Sequence, residues 1–297
     1  ARTHSVTSLP SVTSLASLRA LPAAIPARRP FAGFGDPYFS VEQAANASKP
    51  QPVQVAALQS RGAFNVRGLP LSLRSAPKTA KLGSAELAQL PRLPDTFSEV
   101  RSIAKAVNAN LNRDVFTGHR ATEERVKIAD LSKYKVLAFA THGLVPGDLD
   151  GLNQPALALS NPKLGKSTED GLLTMGEILS LRLDADWVVL SACNTASGNG
   201  AGAEAFSGLG RAFFYAGTRA LLLSNWPVET TSARELTTDL FRRQTQNPST
   251  GRARALRATI LSLIDNKGRS DDNGRMVFSY AHPIFWAPFS LIGDGGA

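Results

Sequence analysis

The sequence predicts an α/β fold, a mostly parallel sheet with helices on both faces. Three observations lead there. Residues 136–142 and 187–193 are apolar runs of buried-strand length, rich in β-branched and aromatic residues. Each ends in a turn of small residues that includes or adjoins Gly or Asn. Segments with helical spacing alternate with further short strands over 96–292, the pattern of a parallel sheet covered on both faces.

The elements follow in order. Residues 11–20, between Pro10 and Pro22, suit a short helix. Residues 36–95 read as short strands and turns, with breakers at Asp36-Pro37, Arg67-Gly68 and from Pro91 to Pro94, an irregular or insertion-like region. Residues 96–108 place Phe97, Val100, Ile103, Ala104 and Val107 at helical spacing, with Asp95 as N-cap. A short strand is expected at 113–116, then a helix from Thr122 to near Asp130. The strand ending at His142 follows, then a short strand at 155–160. Thr174 and Glu177 have capping-box spacing, hydroxyl and carboxylate three residues apart, so a helix should run over about 174–181. After the Cys193 strand come a Gly-rich loop at 198–202 and a helix at 204–215 stopped by Gly217. A strand at 219–225, helices at about 230–244 and 250–265, and a last strand at 288–292 complete the chain, without an internal repeat. Residues 1–35, rich in Ser, Pro, Ala and Arg, read as an N-terminal segment continuing a longer protein, and 36–297 as one domain.

Composition narrows the function classes. With 43% hydrophobic residues, 297 residues can bury a sizeable core. No apolar run approaches the ~20 residues of a membrane span, and the Pro- and Arg-interrupted start lacks a secretory apolar region. A first residue Ala1 in place of Met suggests a processed or excised piece. The single cysteine excludes an internal disulfide framework and a Cys-rich zinc site, and it fits a reducing compartment such as the cytoplasm. A net charge of +9 allows nucleic acid as a partner. Against that, Arg28-Arg29, Arg242-Arg243 and Arg252, Arg254 and Arg257 are scattered without interleaved aromatics, which reads as solvated faces. No metal-ligand spacing of His with Asp or Glu occurs, and no cofactor is expected. Gly165-Lys166-Ser167 ends like a phosphate loop, but Ser160 stands where that loop needs Gly. Gly198, Gly200 and Gly202 lack dinucleotide-loop spacing.

The chemistry centres on His142 and Cys193, 51 positions apart, at the carboxyl ends of two strands. Sites in open α/β sheets form at that edge. A thiol is mostly protonated at neutral pH, and a neighbouring imidazole makes it a thiolate or takes its proton on attack. A His about fifty residues ahead of the Cys is also the caspase-type spacing. Of the other histidines, His4 lies in the frayed start, His119 in a loop, and His282 in a turn before Pro283. The amides of Gly143 and Cys193 are candidate oxyanion donors, with ordinary turn amides as the alternative. The alternative for Cys193 is a buried structural thiol. Glu229, after a strand end, is either a substrate-binding acid at the same edge or a helix N-terminal acid favoured by the dipole.

Four segments then resemble one family: Ala140-Thr-His142-Gly143, Leu190-Ser-Ala-Cys193-Asn-Thr195, Asn225-Trp-Pro-Val-Glu229 and His282-Pro-Ile-Phe-Trp286. With Phe34-Gly35-Asp36-Pro37, Ala121-Thr122-Glu123, the 170–178 segment and 208–217, they are similar in order to CHAT domains, caspase-like proteases related to separase. The resemblance implies a caspase-like α/β fold and a Cys–His peptidase in which His142 is the general base and Cys193 the nucleophile. It implies regulated cleavage of protein substrates in a bacterial cytoplasm, after basic residues selected by an acidic pocket. CHAT sequences usually carry two consecutive acids after Trp-Pro-Val. This chain has Glu229 and then Thr230, which makes Asp148, Asp150 and Asp170 further candidates for that pocket. Relatives often carry tetratricopeptide repeats upstream as a regulatory region; none stands in this sequence, which begins inside the usual domain. The competing reading is a catalytically silent caspase-like scaffold that binds protein partners.

Overall fold

The computed structural model describes residues 2–9, 11, 13–22, 24–47, 87–149, 151–165, 167–191, 201–226, 228–266, 268–270, 273–274 and 276–296, with backbone alone over 201–207 and at 266 and 269. Along the chain run α1 (Ser14–Arg19), β1 (Arg29–Gly35), α2 (Val41–Asn46), α3 (Asp95–Ala106), α4 (Leu111–Asp114), β2 (Val115–Thr117), α5 (Glu123–Ile128) and β3 (Tyr134–Ala140). Then come β4 (Gly143–Leu144), β5 (Ala156–Ala158), β6 (Leu172–Thr174), α6 (Met175–Ser180), β7 (Trp187–Leu190), α7 (Ala201–Ala216) and β8 (Ala220–Ser224). The last are α8 (Thr230–Gln246), α9 (Arg252–Asn266), the β9 (Gly268–Ser270) and β10 (Met276–Ser279) hairpin, and β11 (Phe289–Gly293).

Six strands form the main sheet in the order β11-β8-β7-β3-β1-β2. All neighbours are parallel except β11, which pairs antiparallel with β8 at one edge. Alternation along the central strands sends side chains to two cores. Val136, Ala138 and Ala140 of β3 join Phe31, Trp187 and Leu222 beneath α3, α8 and α9. Leu137 and Phe139 join Phe34, Val188 and Leu221 on the other face, beneath α5, α6 and α7. Phe139 is fully buried and stacks on Phe34 at 5.3 Å, so truncating it to Ala should cost about 3–5 kcal/mol. The α/β class with helices on both faces is the one expected.

Beyond β3 the chain leaves the main sheet and builds a second one, β4-β5-β6. It roofs a smaller core of Phe39, Leu90, Leu144, Leu149 and Ala156.

Element boundaries depart from expectation at a few places, each for a local reason. The N-cap of α3 is Pro94, and Asp95 is the first residue of the helix. Phe97 is 40% exposed, its ring under the Arg101 guanidinium, because the buried face runs through Thr96, Glu99, Val100 and Ile103. The strand expected at 113–116 begins only at Val115, since the Asn110 side chain accepts from the Asn112 and Arg113 amides and starts α4. The helix α2 was missed; Ser40 caps it by accepting from Gln43 N–H. The Thr174–Glu177 capping box is present. Gly217 ends α7 with φ +113°, where a Cβ would meet the Leu183 carbonyl oxygen at 2.3 Å.

Described parts of the N-terminal segment join the main sheet. Arg29–Gly35 is β1, between β3 and β2, and Ser8 bridges β11 at the far edge. Most of the irregular region expected over 36–95 lies outside the described residues, as does 198–200 of the Gly-rich loop.

Candidate active site

The site is set by two adjacent parallel strands. The register pairs Phe139 of β3 with Leu190 of β7, and Ser191 N–H continues the ladder to the Phe139 carbonyl at 3.0 Å. His142 and Cys193 each stand three residues beyond that pair in the sequence. Cys193, and with it its amide, lies outside the described residues.

His142 is 1% exposed. Its carbonyl accepts from Ala158 N–H at 2.9 Å, which fixes the turn from β3 into the second sheet. Its ring packs against Phe39, centroids 5.4 Å apart. Nε2 lies 2.7 Å from the carbonyl oxygen of Pro91. A carbonyl only accepts, so Nε2 carries a hydrogen, and in the neutral imidazole Nδ1 is then the basic atom.

Pro91 is itself held in place. The neighbouring Arg92 guanidinium makes a two-pronged bond to Asp36 at the end of β1, 2.8 and 2.7 Å, and lies over the Tyr38 ring. Asp36 has φ +47° and donates its N–H to Thr96 Oγ1 at 2.7 Å. Burial pushes the Asp36 carboxyl above its ordinary range, partly offset by the Arg92 hydrogen bond and charge. A buried pair of this kind is worth little net stability but is costly to break on one side.

On the other strand, Ser191 Oγ donates to Glu99 Oε1 at 3.0 Å. Both residues are buried, and Glu99 comes from α3. The segment from Pro91 to Glu99 therefore touches both strand ends. Sequence reasoning missed Phe39, Pro91, Arg92 and Glu99 here.

The predicted oxyanion donor Gly143 is opposite Leu157 in the β4–β5 ladder. The bond from Ala158 N–H to the His142 carbonyl marks that pair as the non-hydrogen-bonded kind. In such a pair the N–H of each residue points away from the partner strand, so the Gly143 amide turns away from β5.

The predicted acids are dispersed. Glu229 is the N-cap of α8, 2% exposed, its two oxygens accepting from Thr231 and Ser232 N–H at 3.1 and 2.7 Å. That is the helix-end alternative of the sequence reading. Asp148 accepts from Val145 N–H at 2.8 Å and closes its own turn after β4. Asp170, exposed, accepts from Leu172 N–H at 2.8 Å just before β6. Asp150 lies outside the described residues.

Residues 1–294 match the CHAT domain. The chain belongs to the CHAT domain family. It is also similar to tetratricopeptide repeat protein 28 of Mus musculus, 25% identical over an alignment of 265 positions, with 75% of this chain and 10% of that protein covered. The CHAT chain thus spans about a tenth of the length of the curated relative it matches. Among solved structures, the Arg-specific cysteine proteinase gingipain R is similar with a TM-score of 0.37 and 12% identity, covering 68% of this chain and 42% of that one. Among the described residues no helix is long and apolar enough to cross a membrane.

A separate carboxylate cluster lies among α5, α6 and the loop before β6. Glu123, Glu169 and Glu177 bring oxygens within 4.8 Å of one another, a spacing that suits a metal ion. The centre is taken by the Lys127 ammonium, 2.7, 2.5 and 2.6 Å from the three. Burial pushes Glu123 up to about 7, against the pull of Lys127 and of the Gly171 amide. For Lys127 burial acts downward, but the three carboxylates outweigh it and hold the ammonium charged.

Proposed function

We propose that this CHAT domain is a cysteine endopeptidase. Cys193 gives up its proton to Nδ1 of His142 and the sulfur attacks a peptide carbonyl. The oxyanion is met by the amides of Gly143 and Cys193. Collapse expels the amine, which takes the proton from His142. Water then enters against the same base, hydrolyses the thioester and frees the thiol.

The observation that supports this reading most is the β3–β7 register. It leaves His142 and Cys193 the same number of residues past a paired position, while the Pro91 carbonyl assigns the basic nitrogen of the ring.

The specificity proposed is for a basic residue before the cut. Of the four acids named, Asp170 is exposed, with one oxygen engaged by its own turn; it is the one we assign to the substrate side chain. Regulated cleavage, with an upstream repeat region as the controlling partner and a cytoplasm that keeps the thiol reduced, completes the reading. The name of the mouse relative accords with such repeats.

Thiol alkylation tests it. Cys193 should react with iodoacetamide far faster than a free thiol and lose that advantage in His142→Ala, with circular dichroism confirming that the variant is folded. Ordinary reactivity in both chains would favour the silent scaffold instead. A peptide library varied at the residue before the cut tests the specificity: Asp170→Asn should slow cleavage after Arg and Lys more than after other residues.

A further inference from the structure

Five cations, four of them within residues 113–133 and the fifth far earlier in the chain, meet around one cavity of about 340 Å³ at the outer edge of β2. They are Arg29 at the start of β1, Arg113 on α4, Arg120 after β2, Arg125 on α5 and Lys133 before β3. This patch is a property of the fold; along the chain its members are spread over 105 positions.

Their partners are unequally shared. Asp114, whose side chain is fully buried, takes a two-pronged bond from Arg113 at 2.8 Å and a second cation, Arg29, at 3.8 Å. Lys133 pairs with the exposed Asp130. Arg120 and Arg125 meet no carboxylate among the described residues. Arg120 donates to the Asn112 carbonyl, and both guanidiniums lie over the Phe116 ring, 5.3 and 5.7 Å from its centre. Among the described residues, five cations against two carboxylates leave an excess of three positive charges around a concave space. Two planar forks held by one aromatic ring are oriented for phosphate oxygens before any ligand arrives.

We infer that this cavity binds an oligophosphate chain, such as inorganic tripolyphosphate or the triphosphate of a nucleotide. The charge excess matches an anion of several charges, and the volume is at the small end of ligand cavities. Single-stranded nucleic acid is the poorer fit, because it needs open aromatic faces for its bases. Phe116 is 6% and Tyr134 5% exposed, their faces under guanidiniums. The inference does not use the His142–Cys193 pair.

The test is calorimetric titration of the full 297-residue chain at constant ionic strength. Tripolyphosphate should bind one to one and at least tenfold more tightly than orthophosphate. The double variant Arg120→Ala/Arg125→Ala should lose at least tenfold, while Arg242→Ala on α8 and Cys193→Ala should bind as the parent does. A nucleoside triphosphate that equals tripolyphosphate places recognition in the phosphates alone; one that exceeds it makes the nucleotide the source. Equal affinity for orthophosphate and tripolyphosphate, or full binding by the double variant, overturns the proposal. A single-stranded oligonucleotide that binds more tightly than tripolyphosphate through the same arginines overturns it in favour of nucleic acid.

Discussion

The Nε2 atom of His142 lies 2.7 Å from the carbonyl oxygen of Pro91, a residue 51 positions earlier in the chain. The contact gives the imidazole a defined tautomer before any substrate is present. Nitrogen-15 NMR of the labelled protein at a pH where the ring is neutral should therefore show His142 protonated at Nε2. A spectrum with the hydrogen on Nδ1 would remove the ring as the base for a neighbouring thiol.

Glu99 and Ser191 should behave as an unequal pair. Ser191→Ala takes a hydroxyl from a buried carboxylate and is expected to cost about 1–3 kcal/mol in chemical unfolding. Glu99→Gln keeps an acceptor for the Ser191 hydroxyl and should cost less than Glu99→Ala. Equal losses for the two Glu99 variants would mean that the hydrogen bond contributes nothing.

Glu229→Ala removes the cap of α8 and should destabilise the protein by about 1–2 kcal/mol, with Glu229→Asp recovering part of it. Relative cleavage rates across a peptide set should stay the same. A selective loss for peptides with Arg or Lys before the cut would return Glu229 to substrate binding.

The Lys127 cluster predicts a pH dependence of stability. A carboxyl pushed up to about 7 when folded binds its proton more tightly than in the unfolded chain, so stability falls as pH rises from about 4.5 to 7. At ~1.4 kcal/mol per pH unit, roughly 3.5 kcal/mol bounds the effect. Glu177 is shifted the other way, despite burial, by hydrogen bonds from Lys127 and Thr174, so its contribution is lost only below that window. Thermal midpoints measured from pH 5 to 7.5 should decline in the parent and flatten in Glu123→Gln. Parallel curves for the two proteins would refute this assignment.

Much of the fold was legible because apolar spacing and end signals are local. Thr174 with Glu177 announced α6, and Gly217 announced the end of α7, from a few neighbouring residues each. What could not be read was contact at long range. Phe39, Pro91 and Glu99 reach the His142 and Ser191 strand ends from distant parts of the sequence, and no periodicity links them. One signal was available: Glu99 stands four residues before Ile103 and three after Thr96, an acid on the apolar face of its own helix. The basic cavity was hidden for the same reason, since Arg29 and Arg125 become neighbours only when β1 takes its place inside the sheet.

The anchors of His142 and of Ser191 sit on one short stretch, from Pro91 to Glu99. A sideways displacement of that stretch carries both anchors together, so the spacing between the two strand ends is buffered against it. A rotation of α3, which moves its entrance and its first turns unequally, shifts the two anchors relative to each other. Tolerance to translation and sensitivity to tilt thus follow from one helix and the few residues that lead into it.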